Sequence, residues 1–238
     1  MSPTFARQDV LRRIGGTFGG AVGLSIVVLI CGAALLAPWV APYDPDQLNV
    51  LTRFARPSTA HWLGTDHLGR DMLSRLIHGA QVALAVALSA IAVALVTGTL
   101  LGILAAYQPA RTERIVLILF DVIASFPSLI LALAFVAIFG PSTRMVVVIV
   151  AITLIPHFGR VARAQVLTVK NAPFLEAERL LGASTTRIVF AHILPNIAAP
   201  LVVLASMDVP VVIAIEAGLS SSRCSRQCGT TLSVVSPR

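Results

Sequence analysis

The sequence predicts an all-α integral membrane protein, a polytopic helical bundle with about five transmembrane helices. Three observations carry that prediction. Of the 238 residues, 56% are hydrophobic and only 12% charged, with a mean hydropathy of +0.87; a soluble domain carries roughly twice that charged share. Uncharged apolar runs recur along the chain, and several reach the ~20 residues that a helix needs to cross a bilayer. No polar stretch between them is long enough to bury a core of its own, so no separate soluble domain is expected.

A net charge of +7 would suggest a nucleic-acid partner in a soluble chain. Here the arginines flank apolar runs without interleaved aromatics, so topology accounts for them and no nucleic acid is expected. Arg7, Arg12 and Arg13 precede an uncharged run from Ile14 to Tyr43. That run is too long for a signal peptide and ends in Pro-Trp-Val-Ala-Pro instead of a small-residue cleavage site. It reads as a first, uncleaved helix over about Gly20–Val40, with its N-terminus on the cytoplasmic side.

Residues 41–79 form a polar outer segment. Asp66 and Asp71, with Arg70 and Arg75, are placed to pair locally and to cap the next helix. His61, His67 and His78 stand near these acids, but their spacing fits no standard ligand template, and no metal is expected. Cys31 lies in an apolar run, and Cys224 and Cys228 have no second pair, so neither a disulfide framework nor a metal knuckle is signalled.

The second span, Ala80–Tyr107, carries Gly98 and Gly102 at the four-residue spacing that lets helices approach closely in lipid. After a short link, Gln108–Arg114, a third span covers about Ile115–Phe139, with Asp121 near its start and Pro127 inside. A fourth starts at Met145, passes Pro156 and His157, and must run beyond Arg160 and Arg163, which snorkel to the inner face. The fifth, Ile193–Leu219, contains Pro200, Asp208, Pro210 and Glu216. Prolines there point to kinks lining a cavity. Asp208 is the most costly residue at mid-bilayer, facing either a polar pathway or a partner subunit, and Glu216 joins it as a pathway candidate. Ten Lys and Arg fall in the inside segments of this topology and five in the outside ones, the bias expected of cytoplasmic loops.

Between the fourth and fifth spans, Asn171–Pro195 reads as a short helix, a tight turn and a second helix on the water side. Asn171 is a candidate N-cap and Pro173 suits the first turn. Phe174, Ala177 and Leu181 share one helical face. Gly182 sits where a helix ends in a left-handed residue, and Ser184 can cap the next.

This stretch resembles the EAA loop of permease subunits of ATP-binding cassette (ABC) importers. The match runs through Glu176, Ala177 and Gly182 to Leu194 and Pro195. Glu178 stands where the pattern has a second alanine, and His192 where isoleucine is usual, with Ile193 one residue late. A second stretch, Gly64-Thr65-Asp66 and then Gly69-Arg70-Asp71, resembles the signature after the first helix in the dipeptide, oligopeptide and nickel permeases. The resemblance implies that 171–195 is the coupling helix docking into an ATPase. It also implies a second permease subunit, two ATPase subunits, an extracytoplasmic solute-binding protein and residence in the plasma membrane.

The sequence thus divides into 1–80 with the first helix and outer loop, a permease domain over 81–219, and a tail over 220–238. The tail holds six of the 16 serines and two of the three cysteines, where family members continue with an outer loop and a sixth helix. It reads as the product of a frameshift, truncation or misassembly. The single lysine, Lys170, is followed by asparagine, so the chain carries no Walker A site,. Any ATP is bound by partners, no cofactor is expected, and no hydrolase motif makes the chain an enzyme. Two rival readings stand beside this one: a secondary transporter relaying protons through Asp121, Asp208 and Glu216, and a non-functional truncated permease.

Overall fold

The computed structural model describes residues 18–140, 142–180 and 182–234, with side chains up to Gly218. The N-terminal arginines and Leu181 lie outside the described residues, as do the side chains of Phe174 and Ala177. The described elements are helical apart from one isolated bridge between Thr65 and Asp71. Two compact units divide at residues 85 and 86.

In the first unit, α1 (Phe18–Leu35) is continued after a break at Leu36 by the short α2 (Ala37–Val40), which holds Pro38 in its first turn. Residues 41–71 then fold around two carboxylates. Asp66 accepts the backbone N–H groups of Leu68 at 2.8 Å and Arg70 at 3.0 Å, and its other oxygen accepts Arg70 Nε at 3.0 Å and an Arg75 guanidinium nitrogen at 2.6 Å. Asp71 stands directly before α3 (Met72–Tyr107) and accepts both the N–H (2.8 Å) and hydroxyl (2.7 Å) of Ser74. That is an N-cap, as the sequence suggests. His61 Nδ1 donates to the second oxygen of Asp71 at 3.0 Å, with the Tyr43 ring 4.9 Å away.

The glycines of this segment are sterically required. Gly64 and Gly69 have φ of +75° and +77°, and a Cβ on Gly69 would lie 1.7 Å from the carbonyl oxygen of Asn49. Thr65 donates to the Thr52 carbonyl and accepts the Ala55 N–H at 2.9 Å. Each of the six signature residues therefore has a folding role in this outer segment.

Burial by itself would raise both carboxyls. At Asp66 the amides of Arg70 and Leu68, and then the Arg70 guanidinium, outweigh it and hold the group well below the usual range. At Asp71 the Ser74 amide and hydroxyl and His61 outweigh it and lower the group. A carboxylate more acidic folded than unfolded stabilises at all pH above its unfolded value of about 3.9 and loses that stabilisation as pH falls. The outer segment is therefore expected to loosen below about pH 4, ahead of the apolar helices, whose packing does not titrate. Protection of the Leu68 and Arg70 amides, corrected for the intrinsic pH dependence of exchange, checks this; protection unchanged down to pH 2 contradicts it.

The second unit packs around α6 (Thr143–Lys170), which follows α4 (Ala110–Ala124) and α5 (Ser128–Phe139). The third expected span is not one helix. Pro127 has no N–H to give and disfavours helical geometry at Phe126, so the helix stops with the Ser125 hydroxyl on the Asp121 carbonyl at 2.6 Å,. The 12 residues of α5 cover about 18 Å, short of the ~30 Å hydrocarbon core. By length and composition, four helices among the described residues can cross a membrane: Phe18–Leu35, Met72–Tyr107, Thr143–Lys170 and Thr185–Gly218.

The fourth span runs unbroken through Pro156, as its length demanded. Ala151, Phe158, Ala162 and Val166 recur along one stripe and are buried. Against that stripe lie Gly98 and Gly102 of α3. A Cβ on Gly98 would come within 2.8 Å of the Ile155 carbonyl oxygen, and one on Gly102 within 2.4 Å of that of Gly159. The paired glycines are thus a contact face. The last described helix, α9 (Leu194–Val234), continues through Ser220, where the composition of the sequence changes.

Candidate functional site

The loop after α6 is built from short-range chemistry. α6 ends at Asn171, which is its C-cap and not the N-cap of the next helix. The N–H of Ala172 bonds back to the Val169 carbonyl at 2.9 Å, which uses the position before Pro173 as the corner. Lys170 reaches across to the Ala106 carbonyl at 2.7 Å and lies 4.9 Å from the centroid of the Tyr107 ring, fixing the end of α6 to the end of α3.

α7 (Pro173–Leu180) then opens with proline, whose missing N–H has no partner to lose there,. Leu175 is fully buried, in the same apolar cluster as Val166, Ile188, Ile193 and Ile197. Pro173, Glu176 and Leu180 are exposed, Leu180 to 88%. Among its described side chains, the helix drives Leu175 into the bundle and presents Pro173, Glu176 and Leu180 as an apolar and acidic ridge.

Gly182 closes α7 at φ +84°. The Ala183 N–H bonds the Glu178 carbonyl at 3.1 Å, the long-range bond of a Schellman stop, in which only glycine takes the left-handed position without strain,. Ser184 caps α8 (Thr185–Ile188) through the Arg187 N–H. Gly182 and Ser184 thus do what the sequence assigns to them.

The next five residues, Val189–Ile193, form a π turn leading into Leu194 and Pro195. A proline cannot supply the N–H of the regular ladder, and the Leu194 N–H instead reaches five residues back to Val189,. Ile193 is fully buried and Leu194 half-buried against the core, while His192 Nε2 lies 3.4 Å from Glu178 Oε1.

Two ion pairs fix α6 to α4 above this loop. Arg160 meets Asp121 at 2.9 Å, and Arg163 Nε meets Glu113 at 2.9 Å. Both arginines expected to snorkel pair with acids on a neighbouring helix. Glu113 was legible only as part of a short charged link. Its signal is periodicity: Glu113 and Asp121 lie eight residues apart on one helical face, and Arg160 and Arg163 lie three apart on another,.

Of the candidate pathway residues, Asp208 has a side chain only 14% exposed, with His157 Nε2 3.8 Å away. One of its carboxylate oxygens is buried with no hydrogen bond to any described residue. Glu216, eight residues further along α9, is half-buried. The arrangement puts a carboxylate and an imidazole together within apolar helices, the kind of group that marks a polar path through a membrane protein.

The sequence matches the family profile described as the binding-protein-dependent transport system inner membrane component over residues 98–221. It also matches that of the N-terminal TM domain of oligopeptide transport permease C over residues 7–57. A di/tripeptide transport system permease protein of Pseudomonas aeruginosa is 43% identical over 196 residues, covering 80% of this chain and 65% of the relative. A glutathione transport system permease protein of Pectobacterium atrosepticum is 40% identical, covering 84% of this chain and 66% of the relative. An oligopeptide transport system permease protein of Bacillus subtilis is 32% identical, covering 90% and 70%. A crystal structure of an amino acid ABC transporter with histidines is similar at a TM-score of 0.48 and 20% identity, covering 64% of this chain and 75% of that one. The chain spans 65% to 70% of the length of these three curated relatives.

Proposed function

Because this chain belongs to the family of binding-protein-dependent transport system inner membrane components, we propose that it is one of two permease subunits of an ABC importer for peptides. Separate ATPase subunits dock on residues 171–195, and a solute-binding protein delivers the peptide from outside. The observation that carries the reading is the form of the loop. Leu175 anchors α7 in the bundle, Gly182 ends it, and Pro173, Glu176 and Leu180 remain exposed as a ridge for a partner's groove,. The relatives for di/tripeptides, glutathione and oligopeptides support peptides as the solute class. Asp208 with His157, and Glu216 beyond, line the path that the peptide takes.

In this reading the N-terminus and Gly182 are cytoplasmic and Asp66 faces the opposite side of the plasma membrane. Single cysteines at Ser58 and Ser184 test the orientation. An impermeant maleimide added outside should label Ser58→Cys and spare Ser184→Cys; strong outside labelling at 184 refutes it. Uptake in proteoliposomes with the ATPase subunits should depend on ATP and survive an uncoupler. Uptake collapsed by the uncoupler and indifferent to ATP would instead favour a proton relay through Asp121, Asp208 and Glu216. Asp121 is already committed to Arg160, which favours the ATP-driven reading.

A further inference from the structure

We infer that Glu178 and His192 are a positioning pair, a carboxylate–imidazole contact across the turn that fixes the angle of α7 to the helix after it. The inference rests on the coupling role of this loop, since it concerns how the loop presents its ridge.

Glu178 comes three residues after Leu175, so it shares the inward face of α7, whereas Glu176 and Leu180 belong to the free face,. The carboxylate lies 3.4 Å from His192 Nε2, each side chain being about one third exposed. Between the two, the chain reverses at Gly182. Among the described residues, none lies within 4 Å of where a Cβ at Gly182 would stand. The Ala183 N–H bond and the Ser184 cap act within the turn itself. The Glu178–His192 contact joins residues 14 apart in sequence, from opposite sides of the joint.

The π turn accounts for an imidazole at this place. A five-residue ladder adds one residue to the helical turn and rotates the residues beyond it. Ile193 thereby takes the fully buried position, and the residue before it is brought round to α7. The two positions at which this loop departs from the EAA pattern, Glu178 and His192, are thus in contact with each other. An alanine and an isoleucine at those positions would hold the loop by apolar packing alone. Here a polar contact takes that place, and it can be altered experimentally without disturbing Leu175.

The test is a charge exchange in the full chain in lipid nanodiscs. Glu178→Lys alone and His192→Glu alone each place like or mismatched groups across the joint. Each should speed hydrogen exchange of the amides at 176–180 about two- to fivefold, the range that mispaired charges at a partly exposed site support. The double exchange should return it to the parent rate, and His192→Arg should leave it unchanged. The melting temperature should stay constant throughout, because Leu175 and the α3–α6 contact are untouched. With ATPase subunits added, the single variants should move less solute per ATP hydrolysed, and the double exchange should restore the ratio. Single variants that match the parent in exchange, or a double exchange whose effects add instead of cancelling, overturn the pair. If the parent chain itself holds no ATPase, the coupling reading fails, while the exchange experiment still decides whether the pair positions α7.

Discussion

Gly102→Leu is expected to abolish the folded second unit. A Cβ at 102 would lie 2.4 Å from the carbonyl oxygen of Gly159, 2.9 Å from the Cβ of Ala162 and 3.0 Å from the amide nitrogen of Arg163. Two of those atoms are backbone and the third is a methyl on a buried stripe, so none can swing aside. The whole of α6 must move away from α3. In lipid, van der Waals contact replaces the hydrophobic effect as the main attraction between helices, so separating two helices removes most of what holds them. The displacement also strains the Arg163–Glu113 bond and the seat of Phe120, whose ring lies 2.3 Å from where a Cβ on Gly159 would stand. The loss should be at least about 3 kcal/mol, the upper end for overpacked cores. Gly102→Ala should melt at an intermediate temperature, and Gly102→Leu should fail to give a monodisperse detergent-solubilised species. A leucine variant that melts with the parent would show that α3 and α6 are not in contact as described.

The second large effect concerns coupling. Gly182→Val forces a β-branched residue into φ +84°, which costs on the order of 1–2 kcal/mol and unwinds the Schellman stop. No described residue lies within 4 Å of a Cβ at Gly182, so the damage falls on the loop and on whatever docks there. Glu176→Lys reverses the charge on the free ridge, where mispaired charges at an interface cost several kcal/mol. Both variants should insert normally, because the spans and Leu175 are unchanged. Gly182→Val should lower the melting temperature only by what the strained turn costs, while Glu176→Lys melts with the parent. Both should lower ATP-driven uptake at least tenfold, while ATP hydrolysis by the assembled complex falls less. Normal uptake in both would remove the case for this loop as the coupling element.

Much of this was legible because it is local. The apolar runs mark the helices, Gly182 and Ser184 mark the turn, and the four-residue spacing of Gly98 and Gly102 marks a contact face. What stayed hidden depends on pairs far apart in sequence. Asp121 with Arg160, and Glu113 with Arg163, are 39 and 50 residues apart; the local period shows that each helix carries charges on one face, but not which helix answers which. Pro127 was visible, yet whether a proline kinks a span or divides it depends on the neighbours available to take the freed carbonyls. The burial of Leu175 escaped because apolar residues occupy several faces of α7, and only packing decides which enters the core. Asn171 misled for a different reason: it follows one helix and precedes another, and side-chain chemistry suits it to either end.

Whether α7 seats in an ATPase can be read at Leu180, the most exposed apolar side chain among the described residues of the loop. A photocrosslinking amino acid at position 180, irradiated in the complex reconstituted with its ATPase and partner permease subunits, should form a covalent product with the ATPase subunit. A probe at Leu175, buried in the bundle, should form none. Crosslinking from 180 only to lipid or within the chain itself, in a complex that still hydrolyses ATP and transports, would contradict the account.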